Sequence, residues 1–425
     1  MNRNDESIKY LRLALPDPFG EDPPMATIET SSNKPLAGVR ILDFSRVLAG
    51  PWCTAMLADA GADVLKVESP AGDDQRHMGA QKGGVSVSFE LINRNKRSLR
   101  LDLKSQAGRK VAQDLAAHCD VVVENFRPGV AARLGIDYAT LGRLRPDLVY
   151  CSISGFGQDG PLAERASYDV VAQAMSGFMS MTGERESPPV FAGDSIGDTV
   201  SGLFAGWAIC TALFQRERTG RGQYIDVAMF DSLFALLPTA LASLASSGEA
   251  PARNGRRHPY SAPFGAFCAA DGDFVLAVAN RGLFRALAAA IGRLDLLEDA
   301  RFADDALRGR NEPALRLEIE SWSRQHSVGH VVETLLAAGI PVAPVQTVLE
   351  SATSAHARHR GLFPEVDHPT LGRLPLPEQP VHFAGVTRGA LRAAPTLGAD
   401  GPAILAEVLG MDEVQIAALR ADGVI

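Results

Sequence analysis

Two short runs of apolar, largely branched residues, VRILDFS (39–45) and ADVLKVE (62–68), flank a segment that opens at Gly50 and Pro51 and closes at Gly61. Runs this short and rich in branched side chains read as strands. The segment between them reads as a helix, because proline suits a first helical turn, where its missing N–H has no partner anyway, and glycine suits a helix end. Strand, helix and strand joined by tight turns make a βαβ unit, which commits the chain to a parallel sheet.

The rhythm continues down the chain. SLRLDL (98–103), DVVVENF (120–126), LVYCSIS (148–154) and QYIDVAM (223–229) read as further strands. Between them, Ser105 can cap the helix QAGRKVAQDLAAHC, a short helix lies near 130–134, and Asp198 can cap a long helix that continues to Phe214. Strands alternating with helices predict a doubly wound α/β domain over 36–230. Residues 231–259 read as a linker, and from about 250 glycine, arginine and proline cluster in APARNGRRHPYSAPFG. The pattern of 260–345 fits a smaller α+β domain, with a hairpin at AADGDFVLAVA; 346–384 reads as a return linker. MDEVQIAALRADGVI reads as a helix capped by Asp412 and closed by Gly423. Residues 1–35, polar and proline-containing, read as a disordered leader within which Met25 is an alternative start.

Composition narrows the function. A net charge of -8 argues against a global attraction for nucleic acid. The five cysteines (Cys53, Cys119, Cys151, Cys210, Cys268) contain no CxxC and read as reduced thiols of a cytoplasmic protein. No uninterrupted apolar run reaches the roughly 18 residues of a bilayer span; the longest, 202–213, stops at Gln215, Arg216 and Glu217 and reads as a buried helix. No membrane or nucleic-acid partner is therefore expected. His356 and His359 lie without a carboxylate or cysteine beside them in sequence, so no metal site is expected.

Three motifs carry candidate chemistry. GFGQDG (155–160) fits the dinucleotide pattern GxGxxG, but the PLAER that follows is a poor helix start, and a glycine loop at a strand end explains it as well. NRNKRSLRLDLK (93–104) holds five cations, Arg94, Lys96, Arg97, Arg100 and Lys104, which suit either a solvated loop with an edge strand or a phosphate site. GDSIGDTVSG (193–202) runs into the long helix; Asp198 suits a helix cap, or a carboxylate nucleophile that attacks a thioester while neighbouring backbone N–H groups hold the oxyanion.

Read together, VLAGPWCTAMLADAGADVLKVE, NRNKRSLRLDLK, VVENFRPGVAARLG, ISGFGQDGP, YDVVAQAMSG, IGD and TGRGQYIDVAMFD resemble, in order, the class III CoA-transferases of the CaiB/BaiF type. The resemblance runs from about Leu36 to the C-terminus. It implies a Rossmann-like large domain completed by about 385–425, two ring-shaped chains interlocked as a homodimer, and an aspartyl-CoA thioester intermediate. It places the catalytic aspartate on Asp198 and the CoA contacts on Val47, Leu101, Lys104, Asn125, Phe126 and Arg133. It implies no cofactor beyond the CoA of the substrates. Leu48 and Ser69 replace a glutamine and an arginine of formyl-CoA transferase, which argues against a formyl or oxalyl substrate.

The related α-methylacyl-CoA racemases are the alternative reading. They place a histidine where this chain has Tyr168, and racemisation needs a base on each face of the α-carbon. Arg253, Arg256 and Arg257, at the start of the second domain, are expected with Tyr168 at the substrate. A guanidinium there would hold the second carboxylate of a small dicarboxylic acid, with succinyl-CoA as donor.

Overall fold

The computed structural model describes residues 33–386 and 390–425; the expected leader lies almost wholly outside the described residues, and Met25 with it. Strands β1 (Arg40–Asp43), β2 (Asp63–Glu68), β3 (Arg97–Arg100), β4 (Val121–Glu124), β5 (Val149–Ser154) and β6 (Gln223–Ala228) form a six-stranded sheet. Every neighbouring pair is parallel, and the spatial order is 3-2-1-4-5-6. That is the doubly wound order, in which the chain reverses direction across the sheet between β1 and β4 and opens a crevice at their carboxyl ends.

Helices α1 (Ala49–Asp59), α2 (Val87–Asn93), α3 (Gln106–Ala117), α4 (Val130–Leu134), α5 (Tyr138–Leu144), α6 (Asp169–Met175) and α7 (Ile196–Thr219) lie between and beside the strands. Successive strand residues point to opposite faces. Leu42, Leu65, Leu99, Val122 and Tyr150 pack with Val111 and Leu115 of α3 and with Ile404 and Leu405 near the C-terminus. Ile41, Val64, Val121, Val149 and Cys151 pack with Cys53 and Leu57 of α1 and with Ala205 and Ile209 of α7. Both faces are covered, which is why the strands read as nearly continuous apolar runs.

The chain's end closes the β3 edge. Ser98 N donates to Asp400 Oδ2 at 2.8 Å, Asp102 N donates to the Val424 carbonyl at 2.9 Å, and Ile425 joins the first core cluster. The strand expected over 98–103 ends at Arg100, because residues 101–104 turn away toward the crevice. Strands Phe264–Cys268, Asp273–Ala277 and Val342–Pro344 form a separate antiparallel sheet. Its helices bury their own core around Phe267, Phe274, Leu315 and Ile319. The stretch 346–384 holds two short helices and a two-stranded hairpin, whose Val366 and Leu374 pack on Val87 and Leu91 of α2.

Helix α7 spans 24 residues and has the length and apolar composition of a bilayer-crossing helix. Its buried side packs on α1 and the sheet, whereas Leu203, Trp207 and Phe214 stand exposed on its outer side. The expectation of a wholly buried helix is corrected accordingly. Gly202 abuts Ala49, Trp52 and Cys53, and Gly206 abuts Cys53 and Met56, so α1 and α7 advance in the same direction. Their N-termini therefore meet at one end, the carboxyl edge of the sheet.

A Cβ at Gly202 would lie 2.6 Å from the Ala49 carbonyl oxygen, which is backbone and cannot rotate away. Gly202→Ala is expected to push the helices apart and destabilise by roughly 1–3 kcal/mol, outweighing the roughly 1 kcal/mol that alanine adds to a helix. Thermal unfolding checks this: a melting temperature equal to or above that of the parent would show that the approach is not tight.

Candidate active site

The crevice predicted by the strand order is present. It holds about 560 Å³ and is lined by residues that follow the carboxyl ends of four strands. Ser45 and Arg46 come from β1, 69–73 from β2, 101–104 from β3, and Phe126, Val130 and Leu134 from β4 and α4. Lys104 is exposed at its wall. Arg133 is exposed on α4, next to Leu134 of the lining. Leu101 borders the crevice but is fully buried, with its side chain in the core and its N–H donating to the Glu68 carbonyl.

The five cations of 93–104 separate into two kinds. Arg94 pairs with Asp59, Lys96 with Asp43 at 3.1 Å, and Arg97 with Asp63 at 2.7 Å. Arg100 donates to the Ile425 carbonyl. The segment does carry the expected edge strand, β3, at the end of the large sheet, but most of its cations are paired rather than solvated. Four of its cations bind the fold together, and Lys104 is the one turned to the crevice.

The first loop of the crevice is held from both sides. Asn125 accepts from Arg46 N at 2.8 Å and donates to the Arg46 carbonyl at 2.7 Å, so its amide is fully engaged by the loop. Val47 follows, half-buried, with φ +63°. A branched residue in that region is an outlier, and the surrounding bonds must hold it there.

Asp198 lies in the first turn of α7. It does not cap the helix. Ser195 occupies the cap position without a side-chain bond. Asp169, buried at the start of α6, instead supplies the carboxylate: its Oδ1 accepts from Gly197 N at 2.6 Å and from Asp198 N at 3.4 Å. Its Oδ2 accepts from Gln173 Nε2 at 2.6 Å, and Gln173 Oε1 accepts from Ala192 N at 2.9 Å. With the helix end satisfied by Asp169, the Asp198 side chain is left without a capping bond. It lies one turn before Gly202, whose own neighbours are Ala49, Trp52 and Cys53 of α1; Asp198 is not among the residues that line the crevice.

Burial pushes the Asp198 carboxyl up to about 7, and the neighbouring Asp169 carboxylate adds to the rise. A buried carboxylate poised near neutrality marks a candidate functional residue. Sequence reasoning missed Asp169 and Gln173 as supports; their spacing of four, one turn on a helix face, was the available signal.

Tyr168 is 70 % exposed at the head of α6, next to Asp169. The three arginines expected at the substrate each have a partner within the fold. Arg253 donates to the Ser187 carbonyl at 2.6 Å and to the Glu184 carbonyl at 3.1 Å, pinning the loop that leads to Asp198. Arg256 pairs with Asp273 at 2.6 Å, and Arg257 with Glu312 at 3.4 Å. The partners of Arg253 lie in that loop, Asp273 lies on the small sheet, and Glu312 opens a helix at 312–323. A sequence does not reveal such pairings.

Comparison with known proteins agrees with this geometry. A family model described as CoA-transferase family III matches residues 36–401. The chain is 40% identical over 376 residues to acetyl-CoA:oxalate CoA-transferase of Acetobacter aceti, covering 88% of this chain and 95% of that one. It is 36% identical over 399 residues to succinyl-CoA:glutarate CoA-transferase of Mus musculus, covering 93% and 92%. A crystal structure of a CAIB/BAIF family protein from Brucella suis superposes with a TM-score of 0.80 at 37% identity, over 88% of this chain and 100% of that chain.

The Asp198 environment predicts a pH dependence. Below about pH 7 the raised group is largely protonated, so any reaction that uses it as a nucleophile is expected to speed up as pH rises through that value. Asp169→Asn keeps a carbonyl oxygen for Gly197 N and removes the like charge, so the rising limb moves to lower pH. Burial keeps it above that of an ordinary aspartate. A parent profile flat between about pH 5 and pH 8, or a limb unmoved by Asp169→Asn, contradicts this.

Proposed function

This chain belongs to CoA-transferase family III, and on that premise we propose that Asp198 carries coenzyme A from an acyl-CoA donor to a small dicarboxylic acid. The observation that carries the reading is Asp198 in the first turn of α7, its side chain left free of capping by Asp169 and its carboxyl raised to about 7.

The steps need only residues already described. An Asp198 oxygen attacks the donor thioester carbonyl, the C–S bond breaks, and a mixed anhydride and CoA thiolate form. The thiolate attacks the Asp198 carbonyl carbon, giving an aspartyl-CoA thioester and releasing the donor's carboxylate. The acceptor carboxylate attacks that thioester and expels the thiolate, which then attacks the acceptor's acyl carbon and restores the Asp198 carboxylate. Coenzyme A is placed in the crevice, with Lys104 and Arg133 at its phosphates and Val47, Asn125, Phe126 and the Leu101 backbone along it. Holding the remote end still keeps the thiolate near the reacting carbonyl. The CoA of the substrates is the only cofactor this path uses.

The named relatives use oxalate and glutarate as acceptors, both dicarboxylates, which supports the acceptor class. The first of them also returns oxalate to the candidates, against the reading of Leu48 and Ser69. Acetyl-CoA and succinyl-CoA are the donors in those names; we favour succinyl-CoA. The chain has Tyr168 where racemases carry a histidine, so the racemase alternative is not adopted. We further propose a homodimer, interlocked as the family resemblance implies. The exposed Leu203, Trp207 and Phe214 on α7 support it, because a contiguous apolar stripe calls for cover.

Asp198→Ala is expected to fold normally and lose transfer by several orders of magnitude. In the parent, kcat/KM for glutarate is expected to exceed that for the monoacid of equal chain length by at least about tenfold, because a guanidinium of Arg253, Arg256 or Arg257 that turns from its present partner to the second carboxylate has nothing to hold in the monoacid. Substantial transfer by the alanine variant, or equal use of the monoacid, contradicts the respective claim.

A further inference from the structure

Strand β2 carries a lysine where its neighbours are apolar. Lys66 is fully buried, and Asp73, in the loop after β2, is buried beside it. Lys66 Nζ lies 2.8 Å from Asp73 Oδ2 and donates to the Ser45 carbonyl at 2.9 Å. Asp73 Oδ1 accepts from Val47 N at 3.0 Å and from Gln75 N at 3.0 Å. The pair thus reaches from the second loop of the crevice to the first and grips the first at two backbone points, on either side of Arg46. Arg46 itself is fixed by Asn125.

A buried ion pair is weak evidence for stability, since removing two charges from water opposes what their attraction gains. A reason for its retention lies in what it holds. Val47 sits at φ +63°, a conformation that a branched residue adopts poorly and glycine adopts freely. Without the bonds to Asp73 and Lys66, the loop would relax to negative φ and redirect the backbone at the start of α1.

We infer that Lys66 and Asp73 are positioning residues for the acyl-CoA donor: they hold Val47 in its left-handed conformation, so that the 45–48 loop keeps the shape of the crevice wall. The inference rests on the reading above that CoA occupies this crevice. Neither side chain is assigned a contact with the reacting atoms.

The test is a double-mutant cycle. In Asp73→Asn one of the two carboxylate oxygens becomes an NH2 donor, so either the position facing Lys66 or the one facing Val47 loses its acceptor. The donor KM is expected to rise about tenfold in that variant, roughly the factor by which an L-residue disfavours the left-handed region. Glycine takes positive and negative φ about equally. In the Val47→Gly background the same Asp73→Asn change is therefore expected to raise the donor KM by no more than about threefold, twofold being the loss from equal populations. A purely structural role for the pair would give the same factor in both backgrounds, and equal factors overturn the inference. If Asp73→Asn does not fold, Lys66→Gln is measured in the same two backgrounds with the same expectations. Calorimetric binding of free CoA to the parent separates the premises. A parent that binds no CoA overturns the placement of CoA, and this inference with it; a parent that binds CoA but shows no coupling overturns this inference alone.

Discussion

The close parallel approach of α1 and α7 is the contact on which the site depends. Gly202 has no Cβ, so α7 can lie with its backbone against the Ala49 carbonyl. Both helices then start at the carboxyl edge of the sheet. One start carries the loop with Val47; the other carries Asp198. Were the helices a few ångströms further apart, Asp198 would shift relative to the loop before α1, and a misplacement on that scale is enough to lower a transfer rate by orders of magnitude.

Around that contact, charged side chains have structural tasks before any chemical one. Lys66, Lys96, Asp43, Asp73 and Glu68 form a buried network under the crevice floor. Burial pulls Lys96 down to about 8. Burial alone would raise Asp73, but Lys66 and the backbone donors at Gln75 and Val47 outweigh it and hold the carboxyl below its ordinary value. Asp169 plays the same kind of part at α7. By taking the helix-end N–H groups it frees Asp198 from capping, and by its charge it adds to the rise that burial starts. The division is physical: one carboxylate is satisfied and fixed, while its neighbour is left raised and reactive.

Much of this was legible in the sequence. The βαβ rhythm from 39 to 68 announced the parallel sheet, and turn residues such as Pro51 and Gly61 marked the helix between. Asp198, Lys104 and Phe126 could be named because they sit in long motifs. What the sequence concealed was pairing. Five cations in twelve residues looked like one patch, yet Arg94, Lys96 and Arg97 find acids at 59, 43 and 63, which only the fold brings near. Arg253, Arg256 and Arg257 looked like a binding cluster for the same reason. Asp198 itself satisfied every sequence criterion for a helix cap; that Asp169, far earlier in the chain, performs the capping is a tertiary fact. Helix α2 was missed because VSFELIN is too short to show a helical period.

The central claim is that Asp198 becomes covalently acylated. Purified protein incubated with succinyl-CoA and no acceptor, then treated with hydroxylamine and mapped by mass spectrometry, tests it directly. Hydroxylamine converts an anhydride or thioester carbonyl to a hydroxamate, so the account predicts a hydroxamate on Asp198, dependent on the donor. A donor-dependent label on a different carboxylate, or no label in a preparation that transfers CoA, would contradict it.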